Sequence, residues 1–107
     1  MKFTKEVKEK WLADLKSGNF KQGTGSLYKE ETDSYCCIGV LSISMGIDKE
    51  KLRGPLSGDA FSMLLSTCGR PLASQLWHVN DKVKYDEKAP RDFSNVIPLI
   101  EALPTAD

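Results

Sequence analysis

The chain has 107 residues, which suits one domain, because two halves would each be too small to bury a core. It is 40% hydrophobic and 28% charged, and fifteen basic residues balance fifteen acidic ones. That neutrality argues against a DNA mimic, which should be strongly acidic, and against a nucleic-acid binder, which is usually basic.

The charge is unevenly spread. Residues 1–30 hold seven lysines against four acids, a net of +3, which leaves −3 for the remainder. No apolar run approaches the roughly 20 residues needed to span a membrane. The start, Met1-Lys2-Phe3-Thr4, lacks the apolar stretch of a signal peptide, so a cytoplasmic location is expected. Three cysteines, two of them adjacent, read as reduced thiols.

Residues 4–17 read as a helix capped by Thr4. Val7, Trp11, Leu12 and Leu15 share one face, and Glu6 is placed to pair with Lys10. Gly18 ends it. The stretch Lys21-Gln22-Gly23-Thr24-Gly25-Ser26 reads as a polar turn. It has the composition of an anion cradle, with glycines that let backbone N–H groups point inward and Lys21 for charge. Gln22 is a candidate contact, as are Gly23, Thr24 and Gly25, although Gln22 serves equally well as a tie to the core. The turn is not a P-loop, because no Gly-Lys-Ser/Thr follows at the required spacing. Leu27–Lys29 and Ser34–Cys36 read as a two-stranded hairpin turning at Glu30–Asp33.

The densest apolar run is Tyr35-Cys36-Cys37-Ile38-Gly39-Val40-Leu41. It carries both strand and helix periodicity. With Gly46 as a terminus, it is expected to be a buried central helix entered directly from a strand. Gly39 inside it implies a close-packed neighbour. A polar connection follows over residues 47–58. A short helix is expected at Ala60–Thr67 with Asp59 as cap. A break at Cys68-Gly69-Arg70 comes next, then a helix opened by Pro71 and running to about Val79, with Leu72, Leu76 and Val79 as its buried stripe. Residues 82–91 read as a loop. A last helix is expected near Asn95–Leu103, capped by Asn95, with Pro98 in the first turn. The fold class is therefore α+β and mostly helical: four or five short helices around a central buried helix, with a small hairpin. The expected core comprises Trp11, Leu12, Leu15, Val40, Leu41, Leu72, Leu76 and Ile100.

Catalytic chemistry finds little footing. One histidine, His78, would have to serve any cysteine nucleophile. Three cysteines and one histidine make up a zinc ligand count but not a zinc spacing, since adjacent cysteines point apart. No metal, cofactor or catalytic residue is expected.

The motif Trp11-Leu12-x-x-Leu15-Lys16-Ser17-Gly18-x-Phe20-Lys21-Gln22-Gly23-x-Gly25, followed by Tyr35-Cys36-Cys37-Ile38-Gly39-Val40-Leu41, resembles a family of short, mostly phage-encoded proteins. Leu76-Trp77-His78-Val79-Asn80-Asp81 is similar to the family's Leu-x-x-x-Asn-Asp segment. Pro98 departs from the family's unbroken last helix. The resemblance implies a viral or mobile-element origin rather than a reaction. It implies a small accessory protein in the host cytoplasm that binds and inhibits a host protein, for instance a CRISPR effector. The alternative is a protein that sequesters a nucleotide signal through residues 21–26.

Overall fold

The structure, a computed structural model, describes residues 2–52 and 58–107. Residues 53–57, within the expected 47–58 connection, lie outside the described residues. The domain is α+β and mostly helical. Helix α1 spans Lys5–Lys16, α2 Cys37–Ser44, α3 Asp59–Cys68, α4 Arg70–Asp81 and α5 Ile97–Glu101. Strands β1 (Lys21–Gln22), β2 (Tyr28–Lys29) and β3 (Ser34–Tyr35) form a small sheet. No helix among the described residues is long and apolar enough to cross a membrane.

Helix α2 is the centre. Residues 37–42 are all buried, and α1, α3, α4 and β3 pack around it. A helix apolar on every side has no amphipathic period, which is why strand and helix templates both fitted this run. It is entered straight from β3, with Cys36 as N-cap: the sulfur accepts the Gly39 N–H at 3.4 Å. Trp11 is fully buried against it and donates its indole N–H to the Cys37 carbonyl at 2.8 Å. Phe3 meets the Trp11 ring edge to face at 5.9 Å. Burial of one such side chain is worth about 2–3 kcal/mol. The carboxylate of Asp14 on α1 accepts from Ser44 on α2 at 2.5 Å. Lys10 pairs with this same Asp14, at 3.4 Å, and not with Glu6.

The sheet corrects the expected two-stranded hairpin. Strands β2 and β3 are antiparallel, with Tyr28 opposite Tyr35, as the hairpin requires. Lys21-Gln22, read as part of a turn, is instead a third strand, parallel to β3 on its other edge. Two residues are too short to show an alternating pattern, and their partner lies beyond the next strand.

Helix α4 extends to Asp81, and its buried face is Ala73, Leu76 and Asn80. Leu72 is 37% exposed and Val79 only partly buried, so the expected Leu72–Leu76–Val79 stripe is displaced by about one position. The shift buries a polar residue, Asn80, which hydropathy alone does not favour. Leu12 is likewise only partly buried. Trp11, Leu15, Val40, Leu41, Leu76 and Ile100 are in the core as expected. Gly58, rather than Asp59, is the N-cap of α3. A 3-10 turn occupies Lys82–Tyr85 inside the expected loop. Helix α5 starts at Ile97 with Pro98 in its first turn, and its N-cap is Val96, not Asn95. Lys8 on α1 donates to the carbonyls of Glu101 and Leu103 at 2.7 and 2.9 Å, closing the end of α5. At the start of α1, the Asp107 carboxylate accepts the Lys5 N–H at 2.9 Å, which holds its pKa below the usual range.

Gly39 explains itself by proximity. A Cβ there would be driven into the Leu27 carbonyl, because the backbone leading into β2 lies directly against the helix. Alanine is the better helix former by about 1 kcal/mol. Overpacking against rigid backbone costs more, so Gly39→Ala should destabilise by about 2 kcal/mol net. Urea unfolding measures this; a stabilised variant would mean that β2 moves aside at no cost.

Candidate functional site

The residues singled out in the 21–26 stretch sit where β1 leaves the sheet. Lys21 is exposed, Gln22 is 1% exposed, Gly23 and Thr24 are buried and Gly25 is exposed. A Cβ at Gly23 would strike the Ser34 side chain, so glycine is what lets the chain run this close to β3.

Gln22 is the hub of a buried polar network. Its side-chain oxygen accepts the Phe93 N–H at 2.9 Å. Its amide nitrogen donates to Asn95 Oδ1 at 2.9 Å and to Asn80 Oδ1 at 3.1 Å. Asn80 Oδ1 also accepts the N–H of Cys37, the first residue of α2, at 3.1 Å. Asn80 Nδ2 donates back to the Gly23 carbonyl at 2.9 Å and to Asp81 Oδ1 at 3.1 Å. Asn95 donates to the Val79 carbonyl at 2.8 Å. Asp81 accepts the Gly25 N–H at 3.3 Å and, through its second oxygen, the Trp77 indole N–H at 3.1 Å. Among the described residues no buried side-chain nitrogen or oxygen lacks a partner.

Phe93 is fully buried with φ of +67°, a left-handed conformation rare for an aromatic residue. Gln22 holds its N–H in that conformation. The network thus gathers the Gln-Gly-x-Gly turn, the Cys-Cys run and the Asn-Asp segment into one cluster. Asn95, expected as a helix cap, joins it. Sequence reasoning named Gln22 but not Asn80 or Asn95 as its partners. The signal was the buried-face position of Asn80, four residues after Leu76.

The thiols are not poised for chemistry. Burial pushes Cys36 up to about 11 and Cys37 well above its ordinary value. The Cys37 sulfur faces the Leu76 carbonyl at 3.9 Å. Cys68 is partly buried, and its pKa is raised by that burial, opposed by nearby Lys8. His78 is exposed and stacks on Trp77 at 4.9 Å. Among the described residues no group of three or more His, Cys, Asp or Glu could hold a metal ion.

Outside the network, the surface of β1 borders two depressions. A small pocket of about 190 Å³ is floored by Gln22 and Gly23 and rimmed by Lys21, Lys29 and Arg91. A cleft of about 670 Å³ adjoins it and continues past Phe20 toward Leu15 and Ile97. Lys21 thus belongs to a surface site, whereas Gln22 has its hydrogen-bonding capacity taken up inside.

A family described as a domain of unknown function (DUF8296) matches over residues 2–53. No curated protein and no solved structure matches the chain. The matched region carries α1, the sheet and α2, and so Gln22 and the cysteine pair; Asn80 and Asn95 lie beyond it.

Asn80→Ala would strand the Cys37 N–H, the Gly23 carbonyl and part of the Gln22 amide. A buried polar group left unpaired costs about 1–3 kcal/mol, so a loss of at least about 3 kcal/mol is expected by denaturant titration. Little loss would mean that water fills the gap. In native protein, Cys68 should react first with an aromatic disulfide reagent. Cys36 and Cys37 should react only at the rate of unfolding. Fast labelling of either would reopen a thiol mechanism.

Proposed function

We propose that this chain is a small non-catalytic accessory protein, phage-encoded in type, that binds and inhibits a host protein, an effector of bacterial immunity such as a CRISPR nuclease complex being the leading target class. The observation that carries this reading is where the distinctive residues are spent. Gln22 donates to both Asn80 and Asn95, whose own amides are taken up inside the fold, and Cys36 and Cys37 are buried with raised pKa values. What these groups secure is a rigid scaffold, and the function then falls to the surface it presents. The resemblance to short phage proteins supplies the host context. A second reading, sequestration of a nucleotide signal, is favoured by one feature: the basic rim of the pocket beside Lys21.

Dose dependence tests the lead. Inhibition of a purified effector nuclease should reach completion only near a one-to-one ratio, with a complex that survives size exclusion. It should persist in Cys68→Ser. Complete inhibition at a small fraction of stoichiometry would indicate turnover and overturn a non-catalytic mechanism. No complex and no inhibition across effector types would remove the host-protein reading.

A further inference from the structure

The pocket against β1 has a charge pattern that the rest of the chain does not share. The protein is neutral as a whole, yet this lining brings together Lys21, Lys29 and Arg91 and contains no acid. Hydroxyls of Thr24, Thr32 and Ser34 complete it. The two lysines have no hydrogen-bond or ion-pair partner for their side chains among the described residues. Asp33 and Asp92 border the adjoining cleft, and each is engaged locally. Asp33 accepts the Tyr28 hydroxyl at 2.8 Å, and that bond is the main reason the phenol is pushed up to about 12. Asp92 accepts the Ser94 N–H at 3.1 Å.

The site is also built. The backbone carbonyl of Arg91 accepts the Gln22 N–H at 3.2 Å, so Arg91 is fixed beside β1. Its guanidinium donates to the Val83 carbonyl at 3.1 Å, which uses one N–H and leaves others to face a ligand. Gln22 in the floor is held by its buried hydrogen bonds to Asn80, Asn95 and Phe93. Thr32 and Ser34 hydroxyls are 2.6 Å apart and can present a shared donor.

We infer that this pocket seats the phosphoryl group of a small phosphorylated ligand, with Lys21, Lys29 and Arg91 as its charge partners and the body of the ligand lying in the adjoining cleft along Phe20. An arginine fork and two lysine point charges are the usual complement of a phosphate. The volume of about 190 Å³ falls below the range of whole-ligand pockets, whereas about 670 Å³ for the cleft lies within it. Phe20 packs edge to face on Tyr35 at 5.2 Å and so offers a fixed apolar wall. This inference rests on the second reading, nucleotide sequestration, and not on capture of a host protein.

The test is an amide chemical-shift titration of the full chain with pyrophosphate, ADP and adenosine. Pyrophosphate and ADP should give saturable shifts at Thr24, Lys29 and Ser34, and ADP should add shifts at Asn19 and Phe20. Adenosine should leave the first group unmoved. The double variant Lys21→Gln/Lys29→Gln removes one exposed and one partly buried charge, neither of them paired among the described residues, so its melting temperature should hold while pyrophosphate binding weakens by about tenfold or more. Raised salt should weaken binding in the wild type. Absence of saturable shifts with both phosphates, or equal binding by the variant, would overturn the seat. ADP that binds no tighter than pyrophosphate would leave the seat standing and remove the sequestration reading.

Discussion

The first turn of a buried helix is the constraint on which this structure depends. Backbone N–H groups at a helix start have no partner within the helix, and water ordinarily meets them. Helix α2 begins inside the core, so protein atoms must do so. The Cys36 sulfur takes the Gly39 N–H, and the Asn80 carboxamide oxygen takes that of Cys37. A sulfur is a weak acceptor, and that leaves Asn80 as the stronger partner. Once Asn80 is buried, its own amide needs acceptors, and the Gly23 carbonyl and Asp81 supply them. Gln22 and Asn95 follow by the same logic.

The outcome is a cluster that links distant pieces of chain. Gln22 lies 58 residues from Asn80 and 73 from Asn95. Hydrophobic packing alone would allow α4 to rotate or slide against α2. A saturated polar network does not, because any slip leaves buried groups unpaired. The same contacts place β1 against β3 and hold Phe93 in its left-handed conformation. They thereby set Arg91 next to Lys21. Interior and surface are coupled: the groups that stiffen the core also shape the basic pocket outside it.

This division of labour bears on how the 21–26 stretch is read. It looked like one polar turn, and it is two things. Gln22, Gly23 and Thr24 face inward or form a floor, whereas Lys21 faces out. Alternation along β1 puts Lys21 and Gln22 on opposite sides, so these two neighbours in one motif take different roles.

Local chemistry in the chain was enough to specify most of the helices. Thr4, Gly18, Gly46, Gly69 and Pro71 mark boundaries whose physics is confined to a turn or two; α1 and α4 start, and α2 ends, about where these residues imply. The mostly helical class, the Tyr28–Tyr35 pairing and the burial of Trp11 were legible for the same reason. What only the tertiary structure decided are the long-range polar pairings. Strand β1 exists because β3 is beside it, and a two-residue strand has no pattern of its own. Leu72 is exposed because the polar network sets the rotation of α4, burying Asn80 in preference to a leucine. Asn95 serves the network and not the helix it precedes. Hydropathy and propensity report what a residue prefers alone, whereas a buried amide is settled by which donors and acceptors the whole fold brings within 3 Å of it.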